Sequence, residues 1–410
     1  MNGMVKAHSR ALPAHDFRLT SRAMSQADFP EPAFMEDDEI RMFADSVGKF
    51  LDRNAPPERV AGWREAGMVE RAFWREAGEA GLLGVSVPEA YGGPGGDFRH
   101  DVVVAETIIR KGVEGFAAGL HNVIITPYIQ AHGTEGQKQR WLPRLASGER
   151  VAAIAMSEPG AGSDLQSVRT TALRDGNGYR INGAKTFISN GQIADLIVVV
   201  AKTDPSEGAR GVSLLVVEPD EVEGFRRGRK LDKIGLDAQD TSELFFDDVW
   251  VPADNLLGLE EGKGFYQLMA ELPRERLLIA IGSAVAMERA IEETIAYVKE
   301  RKAFGRPIID FQNSQFVLAD CKAKAVVARV MVNDCIARVL AGTLDATTAA
   351  IAKLWVTEAH GEVVDACLQL HGGYGYINDY PIARMWRDAR VQRIYGGSSE
   401  IMKLLIARSL

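Results

Sequence analysis

The chain has 410 residues, 46% hydrophobic and 25% charged, with 48 lysines and arginines against 56 aspartates and glutamates. That length exceeds one ordinary core and predicts two or three domains, while the net charge of −8 excludes a general nucleic-acid backbone binder and any electrostatic pull toward a membrane. Cys321, Cys335 and Cys367 show no paired ligand spacing, so neither a disulfide framework nor a metal site is expected, and no apolar run of about 18 residues predicts a transmembrane helix.

Residues 1–33, with Pro13, Pro30 and Pro32 and no sustained apolar period, read as a mobile tail. The scarcity of acids as far as Ala27 leaves a mitochondrial transit peptide as the alternative. From 34 to 151 the pattern is helical: Ile40, Phe43, Val47 and Leu51 recur at three- and four-residue steps, and Thr134 with Gln137 predicts a capping box ahead of Trp141 and Leu142. The glycine-rich stretch from Tyr91 to Asp97 lacks both a Walker lysine and a preceding strand, and reads as a turn.

Between 152 and 260 the period changes to two. Runs at 179–183, 196–200, 212–217 and 244–246 are β-rich and are separated by Asp175-Gly176, Asn190-Gly191 and Pro219-Asp220, which predicts a compact β-domain. From 261 to 410 the chain returns to helix, with Ala284, Met287, Ile291, Ile295 and Val298 on one face of a long element. Further helices are predicted over 314–341 and 345–370 and from about Ser399, a set that suits an antiparallel four-helix bundle. The fold class is therefore α+β and multidomain: a helical N-terminal domain, a middle β-domain and a C-terminal bundle.

Four segments carry chemistry. They are Ala155-Met156-Ser157-Glu158-Pro159-Gly160-Ala161-Gly162-Ser163-Asp164, Leu272-Pro273-Arg274-Glu275-Arg276-Leu277-Leu278, Asp365-Ala366-Cys367-Leu368-Gln369-Leu370-His371-Gly372-Gly373 and Ile394-Tyr395-Gly396-Gly397-Ser398-Ser399-Glu400-Ile401. In order and spacing, over the chain from about residue 35 to its end, they resemble the acyl-CoA dehydrogenases. The second and third are especially similar to the long-chain branch of that family. Removing two hydrogens from an acyl thioester needs a base for the α-proton, a hydride acceptor, and donors for the developing enolate oxygen. No side chain accepts hydride, and no Gly-x-Gly-x-x-Gly joins a strand to a helix, so a cofactor held outside the usual dinucleotide site is required.

The resemblance implies FAD. Its ring side would touch Ile154, Met156, Ser157, Gly162 and Ser163 and, across the β-domain, Phe187, Ile188 and Ser189; many members carry tryptophan where Phe187 stands and threonine at the two serines. The ADP half would be met by Arg301, Phe304 and Gln312 and by the backbone of Gln369, Gly372 and Gly373 from a neighbouring subunit, with Ser398 and Glu400 completing the contacts. Glu400 departs from the amide usual there. Taken alone, Arg301 reads as a solvated helix-end cation, and His371 reads as structural.

Most of the family carries its base directly after the tyrosine, where this chain has Gly396. Glu275 stands where the isovaleryl and long-chain types carry theirs, so the resemblance makes it the base; by itself it would read as an exposed helix-face carboxylate. The Gly396 N–H would remain as the thioester oxygen's donor. Ser163, Tyr266, Pro273, Arg276, Tyr395 and Gly397 are the further substrate contacts implied. Glu158 and Asp164 read as holding the turns of their own loop.

The implied activity is FAD-dependent oxidation of acyl-CoA to trans-2-enoyl-CoA, with electrons leaving to electron-transfer flavoprotein. An acyl-CoA oxidase using O₂, or a non-catalytic acyl-CoA or flavin-binding subunit, stays open, as does the length or branching of the acyl group. A homo-oligomer, a tetramer built as a dimer of dimers, is implied because one subunit would hold half a cofactor site. The expected compartment is the cytoplasm of a bacterium, or otherwise the mitochondrial matrix.

Overall fold

The computed structural model describes residues 29–410, and three regions follow one another along them. The first holds α1 (Asp38–Asn54), α2 (Pro57–Ala66), α3 (Arg71–Glu79), α4 (Phe98–Arg110), α5 (Thr126–His132) and α6 (Glu135–Ala146). Asp37 opens α1 by accepting the Glu39 N–H, and Thr134 with Gln137 forms the capping box predicted at the start of α6. The stretch from Tyr91 to Asp97 leaves a short 3₁₀ helix, turns at Gly92 and runs on as irregular chain, in keeping with the turn predicted. It packs closely: a Cβ on Gly93 would lie 2.2 Å from the Val87 carbonyl oxygen. Of the segment expected to be a tail, residues 29–33 are docked, since Phe29 packs on the C-terminal core and the Pro30 carbonyl accepts from Asn333 Nδ2 at 3.2 Å. Residues 1–28, and with them the targeting-segment alternative, lie outside the described residues.

The middle region is one sheet of β1 (Ala152–Ala155), β2 (Thr171–Asp175), β3 (Gly178–Ser189), β4 (Leu196–Lys202), β5 (Val212–Val217), β6 (Phe225–Lys230) and β7 (Thr241–Pro252). The order is β1-β4-β2-β3-β7-β6, with β5 also paired to β4. Residues 196–201 and 212–217 are buried throughout, which is why these two strands read as unbroken apolar runs instead of alternating ones. Asp175 faces Gly178 across the β2–β3 turn predicted from Asp175-Gly176. The β3–β7 register slips twice, the second time between Lys185 and Ile188.

The C-terminal region holds α7 (Gly264–Glu300), the two-residue strands β8 (Lys302–Ala303) and β9 (Arg306–Pro307), α8 (Gln312–Leu340), α9 (Ala346–His371), α10 (Pro381–Ala389) and α11 (Ser399–Ala407). Small buried residues, among them Ala284 on α7, Ala325 and Ala328 on α8 and Ala352 and Ala359 on α9, let the three long helices approach closely. The final helix starts at Ser399 as the sequence predicts but runs nine residues, so α10 and α11 together fill the fourth position of the bundle against α9. A buried ion cluster ties α4 to this bundle: Glu288 on α7 accepts from Arg329 Nε on α8 at 2.7 Å and from Arg110 on α4 at 2.6 Å. No helix among the described residues is long and apolar enough to cross a membrane.

Candidate active site

A cavity of about 660 Å³ opens where the three regions meet. Its β-domain wall is the loop after β1 together with the bulged end of β3. That loop turns tightly, with Glu158 N–H donating to Ala161 O at 2.8 Å and the Ala161 N–H returning to Glu158 O at 3.1 Å. Lys185 locks it from beneath: its buried ammonium donates to the Met156 carbonyl at 3.0 Å, the Glu158 carboxylate at 2.8 Å and the Val200 carbonyl at 2.6 Å. Burial lowers the Lys185 pKa to about 8. Burial also works to raise the Glu158 pKa, but the Lys185 charge and donors including the Arg169 N–H overcome it and hold the carboxyl below its ordinary range.

The second register slip in β3 falls beside Phe187, whose φ is 61°. A bulge of this kind re-aims a side chain out of the alternating pattern, and Phe187 accordingly lies 69% exposed on the cavity wall. Ile154, Met156, Ser157, Gly162, Ser163, Ile188 and Ser189 line the same wall. No hydrogen bond among the described residues uses the hydroxyls of Ser157, Ser163 or Ser189.

On the opposite wall, α7 presents Glu275. The structure buries this carboxylate to 4% exposure, against its solitary reading as a surface charge. Tyr128 on α5, itself fully buried, donates its hydroxyl to Glu275 Oε1 at 2.6 Å. Burial is the main force on this carboxylate and raises its pKa to about 7; the Tyr128 hydrogen bond and the Arg276 charge pull it down, and Glu271, one turn earlier on α7, pushes it up. Burial and the Glu275 charge hold the Tyr128 hydroxyl far above its ordinary pKa, so it stays a donor.

Arg276 turns away from Glu275. Its Nε reaches the Gly396 carbonyl at 3.4 Å, and Lys353 on α9 donates to the Gly397 carbonyl at 2.6 Å. Two cations thus fix the peptide planes of the glycine turn. Gly396 has φ 64° and Gly397 φ 100°, and a Cβ on Gly396 would lie 2.2 Å from Ile279 Cδ1, one turn past Glu275. No hydrogen bond among the described residues uses the Gly396 N–H. Tyr395, Gly396 and Gly397 line the cavity, as do Ser163, Glu275 and Arg276.

The remaining predicted residues lie elsewhere. Tyr266 is 56% exposed beside Phe265, and Pro273 sits within α7; neither lines the cavity. Ser398 caps α11 and Glu400 occupies its exposed first turn. Arg301, Phe304, Gln312, Gln369, Gly372 and Gly373 gather at the far end of α7, with Arg301 over the Tyr374 ring at 5.4 Å and Phe304 96% exposed at the β8–β9 tip. At 1.5 Å per residue, that end of α7 is roughly 38 Å from Glu275. His371 bonds the Cys367 carbonyl at 3.0 Å and stacks on Tyr297, consistent with a structural part. Tyr128 is the residue that sequence reasoning missed: 147 positions from its partner, it has only one local sign, the π-helical turn Leu120–Ile125 leading into α5.

Sequence models of the N-terminal, middle and C-terminal domains of acyl-CoA dehydrogenase match residues 37–149, 153–249 and 262–410. The chain belongs to the acyl-CoA dehydrogenase family, flavin-dependent oxidoreductases that use FAD. It is 44% identical to the mitochondrial long-chain specific acyl-CoA dehydrogenase of Mus musculus, over 99% of this chain and 96% of the mouse protein. Among solved structures it is similar to an acyl-CoA dehydrogenase from Geobacillus kaustophilus, with TM-score 0.90 and 48% identity over 92% of this chain and 99% of that one. It is also similar to a Mycobacterium smegmatis glutaryl-CoA dehydrogenase in complex with FADH2, with TM-score 0.83 and 28% identity over 91% and 94% of the two chains.

The β-domain wall fits such a cofactor. An aromatic face turned into the cavity at Phe187, a thioether at Met156 and three hydroxyls without protein partners suit a planar ring edged by heteroatoms. Gly160 and Gly162 add open space, since a Cβ on either would meet nothing within 4 Å.

Proposed function

We propose that the protein oxidises acyl-CoA thioesters to trans-2-enoyl-CoA, with Glu275 as the base that takes the α-proton. The observation that carries this is the buried carboxylate itself, poised near neutral pH and aimed into a cavity shared with the flavin-fitting wall. Bound FAD supplies the hydride acceptor. Tyr128 holds Oε1 of Glu275, which leaves the other carboxylate oxygen for the proton. The Gly396 N–H, which no acceptor among the described residues uses and which lies next to the clamped Gly396 and Gly397 carbonyls, donates to the thioester oxygen as the α-carbon loses its proton. Ser163, Tyr395 and Gly397 shape the substrate's path past Arg276.

The cluster from Arg301 to Gly373 serves the FAD of a neighbouring subunit, in a tetramer built as a dimer of dimers. Its separation from Glu275 of its own chain, the length of the later part of α7, supports that reading. Electrons pass to electron-transfer flavoprotein. The proposed compartment is the cytoplasm for a bacterial source and the mitochondrial matrix otherwise.

Anaerobic mixing of the holoenzyme with saturated acyl-CoA tests this by flavin bleaching. Glu275→Gln is expected to retain FAD and bind acyl-CoA while flavin reduction slows by at least 10²–10⁴-fold, roughly the loss of a positioned base. Full activity in that variant would sink the assignment and direct attention to Glu400. Bleaching by no acyl-CoA would favour a binding subunit, and rapid reoxidation by air rather than by electron-transfer flavoprotein would favour an oxidase.

A further inference from the structure

Beyond the base, the cavity follows one face of α7. Ile279, Gly282, Ala286 and Arg289 succeed Glu275 at steps of four, three, four and three residues, and all of them line it. Ile109 and Gly112, at the end of α4, form part of the facing wall. The two walls come close at Gly282, where a Cβ would lie 3.2 Å from Ile109 Cδ1, so the glycine keeps the passage beside Ile109 from narrowing further.

From Glu275 to Arg289 the helix rises roughly 21 Å, and helical side chains lean toward the N-terminus, which brings the guanidinium nearer the base. A span of roughly 15–20 Å remains. With about 1.3 Å of advance per carbon in an extended chain of about 1.5 Å bonds, it holds roughly 12–16 carbons.

The channel ends on a charge short of partners. Arg289 Nη1 donates to the Ile109 carbonyl at 3.3 Å, and the nearest carboxylate, that of Glu293, stands 3.8 Å from Nη2. No hydrogen bond among the described residues uses Nε or Nη2. Of the other acids nearby, Glu114 is paired with Arg64 and Arg384, each at 3.2 Å, Asp388 accepts the Leu236 N–H at 2.6 Å, and Glu292 feels the Arg289 charge without a hydrogen bond to it. Room for the guanidinium is built in, because a Cβ on Gly112 would lie 2.6 Å from Nη2. Burial lowers the Arg289 pKa from its ordinary value, so its charge is held at a cost in hydration. A methyl terminus would remove the remaining water and return nothing, whereas an oxygen would accept from the free donors.

We propose that the acyl group this site takes is roughly 12–16 carbons long and carries an oxygen acceptor, a carboxylate or a hydroxyl, at its far end, bound by Arg289. The proposal rests on the dehydrogenase reading and adds the substrate class to it. The test is anaerobic flavin reduction of the holoenzyme by three CoA thioesters of one length: hexadecanoyl, 16-hydroxyhexadecanoyl and hexadecanedioyl. At least one oxygenated chain is expected to exceed the methyl-terminated one by about tenfold or more in rate over dissociation constant, as a charge-assisted hydrogen bond implies. Arg289→Leu should bring that ratio to about one. An advantage confined to the dioyl thioester and falling with salt assigns the carboxylate; one shared by the hydroxy thioester and insensitive to salt assigns the hydroxyl. If Arg289→Leu loses its FAD, Arg289→Gln and the wild-type ratio decide. Methyl-terminated chains that match or surpass both oxygenated ones would overturn the inference while leaving the dehydrogenase reading intact, and no reduction by any thioester would remove that reading instead.

Discussion

Glu275 is tuned by neighbours from three directions. Burial makes the carboxylate basic enough for an α-proton, Glu271 strengthens that push, and the Tyr128 hydrogen bond moderates it. A base must be deprotonated to act, so flavin reduction is expected to rise with pH through about 7 and level off above it. Tyr128→Phe removes a contact that lowers the pKa. Its acid limb should therefore shift to higher pH, with a smaller rate at neutrality and an unchanged flavin spectrum; stopped-flow profiles of the two proteins make the comparison, and a limb that stays in place would refute the role. How much of this was legible depends on sequence distance. Glu275 and Gly396 sit in segments whose text identifies them, but Tyr128 reaches the base from another helix, and no local pattern in Thr126-Pro127-Tyr128-Ile129 announces the meeting.

Among the elements, β3 organises most of the flavin-facing wall. Its bulge turns Phe187 into the cavity, while Lys185, two residues before, faces the interior and holds the preceding loop by two hydrogen bonds, with a third to Val200 on β4. Lys185→Met would leave the Glu158 carboxylate buried without its cation, a change expected to cost about 3–5 kcal/mol. Denaturant melts of the variant and of Lys185→Met with Glu158→Gln measure this; the second change should recover part of the loss, and equal stability of wild type and single variant would show the pair to be incidental. Period and capping chemistry made most elements readable, as at Thr134 and Gln137. The bulge left no such trace, because a register slip is a property of two paired strands. The split of the bundle's fourth member into α10 and α11 was also hidden, since both pieces are too short for a sustained period.

At the scale of the whole molecule, one chain presents two separate collections of family-matching residues. One lines the cavity; the other surrounds an exposed Phe304 at the opposite end of α7. If subunits complete one another's cofactor sites, Phe304→Asp should weaken assembly and Arg301→Ala should weaken FAD retention by about tenfold or more, as loss of a charge-assisted contact implies. Analytical ultracentrifugation and flavin release on dilution report these effects. A Phe304→Asp protein that keeps both its assembly and its flavin would separate that cluster from the cofactor. Sequence alone could gather these residues only by resemblance, for nothing within a single chain brings them to the flavin.

The contact between Gly396 and Ile279 ties two distant positions to each other. A side chain at 396 would need both a left-handed backbone and the volume that Ile279 now fills, so a glutamate is not accommodated there. A carboxylate at 396 would call for a smaller side chain at 279 as well, so the two positions can change only together. The isoleucine acts as a lock on the turn: while it stays, only glycine fits at 396.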